Sequence, residues 1–289
     1  MAHLTEDQNT TYTRDGFLVV RNAIPIPVLK AFIEVLEAEV DRRTEAMYEK
    51  GEISNLHPGE PFATRWYKLW REWGREPEDP FWHACVFGRP LYELWTHPAI
   101  LDVVESLLGP EIQVSGDYIL RARIPAQHSD VLPWHQDSGY MEATGQYHWP
   151  TVWIPFVPVS EENGAMEFAP GTHTLSIQEH VKKDDDVSDY PTPRTDPAEG
   201  REVVIPKMAP GDFVIFHNHV FHRSTHGTAA SVRWSIDFRF SPAGTPVGEH
   251  LWFHDMRHVV RSERDPSQVP GWDEVVALWE KSEQRIRHP

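Results

Sequence analysis

Ser231-Val-Arg-Trp-Ser-Ile-Asp-Phe-Arg-Phe240 alternates without a break. Successive side chains of a strand point to opposite faces. Ser231, Arg233, Ser235, Asp237 and Arg239 therefore share one face, and Val232, Trp234, Ile236, Phe238 and Phe240 share the other. A strand that packs its apolar face on one layer and turns a polar row to a cavity or to solvent fits the wall of a barrel. In a cavity, an arginine such as Arg233 offers a planar fork that grips a carboxylate at two points. On an exposed strand the same residue would simply pair with an Asp or Glu.

Upstream, from about Gln113, the chain has the same texture. Short apolar runs at Gln113–Ile124, Thr151–Val159, Ala165–Ala169, Glu202–Ile205 and Asp212–Phe216 are separated by turn residues. Asn163-Gly164 is a hairpin signal, and Pro170-Gly171 and Pro210-Gly211 mark further turns. Many short strands with regular turns predict a sandwich or jelly roll. Residues 176–200 are polar and acidic and read as a long excursion or lid between strands.

The first 110 residues read as mostly helical, with one early strand at Phe17–Val20. Val28, Leu29, Phe32, Ile33, Leu36 and Val40 recur at helical spacing, which predicts a helix to about Lys50 stopped by Gly51. A second helix is predicted from Pro98 to Leu108, ended by Gly109-Pro110, and a last one from Trp272 to about Arg287. Phe62, Trp66, Tyr67, Trp70, Trp73, Phe81 and Trp82 between the first two helices suit core packing or one wall of a substrate pocket. The organisation expected is one domain over 1–289: a helical part to about 110, a jelly-roll core over about 111–242 and a helical tail over 243–289.

Composition narrows the function classes. The formal charge is -17, which disfavours nucleic acid and anionic membranes as partners. No apolar run is long enough to span a bilayer. The polar N-terminus shows no apolar signal segment, and a single cysteine, Cys85, allows neither an internal disulfide nor a cysteine metal cage. A reducing cytoplasm fits.

Leu132-Pro-Trp-His-Gln-Asp137 contains His-x-Asp. On extended backbone His135 and Asp137 face the same side and can grip one ion. Two histidines and a carboxylate on one face of an octahedron leave three positions open. That arrangement suits Fe(II), which must bind a co-substrate and O2 together; a closed four-ligand zinc site does not. In a chain with 17 histidines the dipeptide spacing carries little by itself. The third ligand has three candidates in Phe216-His-Asn-His-Val-Phe-His222, namely His217, His219 and His222, and His217 with His219 forms a competing i, i+2 pair.

Several motifs together resemble the phytanoyl-CoA hydroxylase superfamily of Fe(II)/2-oxoglutarate-dependent dioxygenases, which also includes ectoine hydroxylase. The likeness runs over roughly residues 12–242. It is carried by GFLVVRNAIP, HPAILDVVESLLGP, WHQD, SEENGAMEFAPGTH (with Thr172 where the family has Ser) and GDFVIFHNHVFHRSTHGTAASVR. In the last, an arginine follows a histidine after eleven residues, as His222 and Arg233 do.

The resemblance implies a double-stranded β-helix (jelly roll, cupin-like), mainly β with flanking helices. It implies His135, Asp137 and His222 as iron ligands, 2-oxoglutarate and O2 as co-substrates, and Arg233 as partner of the far carboxylate of 2-oxoglutarate. Arg121 lies where relatives place a polar residue touching the co-substrate, and Trp153 where they often place a Trp beside the iron. Ser235 joins them by periodicity alone. His173, His217, His219 and His226 are left with supporting roles. Because related halogenases lack the carboxylate, Asp137 implies hydroxylation, or another C–H oxidation, of a small molecule. Two rival readings are a cupin-type metalloenzyme that uses no 2-oxoglutarate and a non-catalytic small-molecule binder.

Overall fold

In the computed structural model the described residues are 3–75, 86–124, 131–139, 147–182, 191–246 and 256–287. In chain order they form α1 (Glu6–Asp15), β1 (Phe17–Val20), α2 (Ile26–Glu49), α3 (Phe62–Trp73), α4 (Arg89–Trp95), α5 (Pro98–Leu108), β2 (Ile112–Arg123), β3 (Thr151–Pro155), β4 (Met166–Phe168), β5 (His180–Val181), β6 (Thr192–Pro193), β7 (Phe213–Phe216), β8 (His222–Ser224), β9 (Arg233–Pro242), β10 (His258–Arg261) and α6 (Trp272–Arg287).

Six strands make one antiparallel sheet in the order β1-β7-β3-β9-β2-β10. Facing it is a smaller layer in which β4 pairs with β8. Single bridges extend that layer on both sides, Phe168 to Val204 and His222 to His135. Two layers whose consecutive strands alternate between sheets are a jelly roll, as expected. The fold is thus mainly β with flanking helices.

The alternation in β9 is what separates the layers. Trp234, Ile236, Phe238 and Phe240 are fully buried in the cluster that includes Phe32, Leu36 and Leu69 of α2 and α3, so this face of the sheet carries the helices. Arg233, Ser235, Asp237 and Arg239 point the other way and are buried too. The polar row therefore faces the space between the sheets, not solvent. Phe17, Trp153, Val214 and Phe216 join it from the neighbouring strands, packing on Met166 and Phe168 of the small sheet.

Expected and observed bounds differ in instructive places. Glu202–Ile205 is no strand; only Val204 bridges to Phe168. Asn163-Gly164 makes no two-residue hairpin: Glu161–Asn163 is a 3-10 turn, with Gly164 at φ 81° as its cap. The turn is longer because β3 and β4 lie in different sheets. The tail is not wholly helical, since β10 extends the large sheet beyond β2. At Gly116, β2 bulges at φ 83°, and a Cβ there would stand 2.5 Å from the backbone of Met256.

The aromatic stretch resolves as core. Phe62 stacks on Trp234 with ring centroids 5.0 Å apart, and Trp66, Tyr67, Trp70 and Trp73 join the helix-side cluster. Phe81 and Trp82 lie outside the described residues, as does Cys85.

Candidate metal centre

His135 and His222 are direct partners in a narrow antiparallel bridge. Each donates its backbone N–H to the other's carbonyl at 3.0 Å. That pairing fixes both rings on the inner side of the small sheet, with centroids 4.1 Å apart. Asp137 lies two residues beyond His135, so its carboxylate returns to the same side. His222 Nε2 is 3.5 Å and His135 Nε2 is 3.7 Å from Asp137 Oδ1. All three ligand atoms lie within 4.8 Å of one another, and all three residues are buried.

The protonation states suit a metal. His135 Nδ1 bonds to the Pro133 carbonyl at 2.8 Å and His222 Nδ1 to the Val220 carbonyl at 3.1 Å. Each Nδ1 is then the protonated donor, which leaves each Nε2 lone pair for a cation. Burial pushes the His135 pKa down to about 3, aided by its neighbour His222, and burial likewise lowers that of His222. Burial opposes ionisation of Asp137, but Arg239, the two histidines and the Thr151 hydroxyl together hold its pKa below the usual carboxylate range. The set is therefore two neutral imidazoles and one carboxylate, which fits a divalent ion that keeps open positions.

Asp137 Oδ2, the oxygen away from the histidines, accepts a 2.7 Å hydrogen bond from Thr151 Oγ1. The Arg239 guanidinium stands 3.8 Å from it. Arg239 also lies 3.0 Å from Asp237 and 3.9 Å from Asp117. Together they hold Asp137 so that Oδ1 faces the histidines.

The chamber beside the three ligands is lined by Arg121, Trp153, Arg233, Asp237 and Arg239. Arg233 is 1% exposed and lies over the Trp153 ring, 5.2 Å from its centroid. Ser235 is fully buried, and among the described residues its hydroxyl has no hydrogen-bond partner. Arg121, which lines the chamber, is in register with Ser235 across β2 and β9, so the two share the inner face of the large sheet. A buried cationic fork, a second arginine and an unpartnered hydroxyl are the donors that a carboxylate requires.

The profile of the phytanoyl-CoA dioxygenase (PhyH) family matches residues 12–234, more than half of the chain. The chain belongs to the phytanoyl-CoA dioxygenase family. A 1-deoxypentalenic acid 11-beta-hydroxylase of Streptomyces exfoliatus is 30% identical over 61% of this chain and 64% of that protein. The match thus spans less than two thirds of the relative's length. The peroxisomal phytanoyl-CoA dioxygenase of Homo sapiens is 24% identical over 83% of this chain and 69% of its own. Among solved structures, the non-heme monooxygenase ThoJ in its apo form superposes with a TM-score of 0.63 at 21% identity, covering 96% of this chain and 95% of that one. EctD from S. alaskensis with 2-oxoglutarate and 5-hydroxyectoine gives 0.59 at 14% identity, covering 85% and 78%. These structural likenesses establish a shared fold.

In this PhyH-family chain the competing pair His217 and His219 does not converge on an ion. His217 Nδ1 accepts from the His219 N–H at 3.0 Å, and its ring stacks on His148 at 4.5 Å. His148 Nε2 meets the Tyr12 hydroxyl at 2.9 Å, and His173 Nε2 meets the Thr13 carbonyl at 3.1 Å. Among the described residues, no other trio of His, Cys, Asp or Glu ligand atoms gathers within 4.8 Å. These histidines form a packed cluster where α1 meets β7. His226 is exposed.

Sequence reasoning missed Thr151, Asp237 and Arg239 as site residues. The signal was present, since Asp237 and Arg239 share the face of Arg233. Arg123, also on the inner face of β2, is different: its Nη2 donates to the Thr225 carbonyl at 2.6 Å and anchors that loop.

Proposed function

We propose that this protein is an Fe(II)- and 2-oxoglutarate-dependent dioxygenase that hydroxylates an unactivated C–H bond of a small organic molecule. The observation that carries the reading is the buried His135–Asp137–His222 group opening onto a chamber lined by Arg233, with the unpartnered Ser235 hydroxyl on the same face of β9. Family membership and a relative named as a hydroxylase support it.

His135, Asp137 and His222 would hold Fe(II), which supplies the O2 activation that no side chain can. Arg233, with Ser235 and Arg121, would grip the far carboxylate of 2-oxoglutarate, while Trp153 packs beside it. Thr151 and Arg239 hold Asp137 in its anionic form with one oxygen turned to the ion. The burial of Arg233, Arg239 and Asp137 strengthens each of these charge contacts relative to water. A single cysteine supports a reducing compartment such as the cytoplasm. The net charge of -17 supports a small-molecule partner and not nucleic acid.

Succinate release tests the reading against a cupin-type enzyme without the co-substrate. Turnover should require both Fe(II) and 2-oxoglutarate, and Arg233→Ala should raise the KM for 2-oxoglutarate at least tenfold. Metal-dependent turnover that persists unchanged without 2-oxoglutarate would overturn it.

A further inference from the structure

Gln136 sits between two proposed metal ligands, and alternation turns its side chain away from them. That side should meet solvent or apolar packing. Instead Gln136 is fully buried and bonds to two other segments. Its backbone N–H donates to His180 Nε2 at 3.1 Å. Its Oε1 accepts from the Gln178 N–H at 2.8 Å. Its Nε2 donates to the His219 carbonyl at 2.8 Å.

Gln178 and His180 belong to the strap that carries β5 and β6. His180 Nδ1 donates to the Gln178 carbonyl at 2.8 Å, which leaves Nε2 as the acceptor the Gln136 N–H needs. His219 lies one residue before Val220, whose carbonyl orients the His222 ring. One amide therefore spans the strap and the loop leading to the distal ligand, while its backbone belongs to the segment of the other two. Glutamate at this position would lose the donor, and leucine both functions.

The strap's own ladder is short. β5 and β6 share two residue pairs, and the Glu179–Arg194 ion pair beside them is exposed, so solvent and salt screen it. Against the metal loop it sits close: a Cβ on Gly139 would lie 2.3–2.7 Å from three atoms of the His180 ring. Gly139 is not in the left-handed region. A side chain there is excluded by the docked His180 and not by the backbone.

We propose that Gln136 is a positioning residue that makes metal binding at His135, Asp137 and His222 depend on the docking of the strap. The inference rests on the metal-site reading above. Coupling of this kind is reciprocal, so metal must also stabilise the docked strap by the same factor.

The test uses the full chain, anaerobic Fe(II) titration and limited trypsin digestion. Cleavage after Lys182 and Arg194 reports the strap. In the wild type, Fe(II) should slow that cleavage about tenfold or more. Gln136→Leu and Gly139→Ala should each accelerate it in the apo-protein, weaken Fe(II) binding about 10–100-fold and abolish the protection. His180→Ala serves in the same way should Gly139→Ala not fold. A merely structural role would change thermal stability but leave the protection by Fe(II) intact. Two results would overturn the proposal: strap release in the variants with unchanged Fe(II) affinity, or no effect of Fe(II) on cleavage in the wild type. A wild type that binds no Fe(II) would instead overturn the metal-site reading, and the first titration reveals it.

Discussion

Replacing Arg239 by glutamine should destabilise the protein by about 3–5 kcal/mol, because it strands two buried carboxylates. Arg239 is 7% exposed and Asp237 5% exposed, and their charged atoms are 3.0 Å apart. At an effective dielectric of about 20, unit charges at that distance interact by roughly 5–6 kcal/mol. Desolvation offsets part of this in the intact pair. Removing one partner leaves that cost uncompensated, which is why breaking a buried pair costs about 3–5 kcal/mol. Burial already raises the Asp237 pKa, so without Arg239 this carboxyl should take up a proton at higher pH. The double variant Arg239→Met/Asp237→Leu removes the closest pair and should recover part of the loss, Asp137 still lacking Arg239. Urea unfolding at pH 7.5 of the wild type and Arg239→Gln measures the loss, and Arg239→Met, Asp237→Leu and the double variant close the cycle. A coupling below about 0.5 kcal/mol would refute the view that the pair is desolvated and interdependent.

Three further outcomes follow from the geometry. Thr151→Val removes the hydroxyl on Asp137 Oδ2 with little change of shape, and should weaken Fe(II) affinity about 10–100-fold by anaerobic calorimetry while leaving the fold intact. Burial lowers the His217 pKa to about 2, with His148 and His219 adding to the effect, whereas an unfolded histidine titrates near about 6.5. The unfolded chain therefore binds the extra proton below that value, so the stability due to a neutral His217 is complete above about pH 7 and is lost as pH falls. Between pH 7.5 and 5.5 the wild type should lose about 1 kcal/mol more than His217→Phe in urea unfolding, after allowance for partial exposure; parallel losses would contradict this. Phe62→Ala should cost about 2–3 kcal/mol of stability, yet leave the KM for 2-oxoglutarate within twofold, since Phe62 stacks on the helix-facing side of β9.

The legible part of this molecule was what a strand's two-residue period exposes. β9 could be read with both faces assigned, and Phe17–Val20 was found to the residue, because Gly16 and Asn22 bracket it. The helix stop at Gly51 was equally plain, since that glycine takes φ 69°. What alternation cannot reveal is which residues meet across the two sheets. Thr151 and Asp137 are 14 positions apart and touch only because β3 faces the metal loop. The histidines at 217, 219 and 222 share one composition and one segment. Their ring nitrogens bond within the segment, His217 Nδ1 to the His219 N–H and His222 Nδ1 to the Val220 carbonyl, and the backbone bridge from His222 to the distant His135 decides which ring turns to the metal site. The strap's attachment at Gln136 left no trace in periodicity, because it depends on single hydrogen bonds to residues more than 40 positions away.

The central claim is that His135, Asp137 and His222 bind Fe(II) so that 2-oxoglutarate can bind the same ion. Anaerobic titration of the apo-protein with Fe(II) and 2-oxoglutarate, followed by visible absorption, tests it most directly. A metal-to-ligand charge-transfer band should grow in the wild type and be absent from His135→Ala and Asp137→Ala. A wild type that gives no band, or variants that keep it, would contradict the claim.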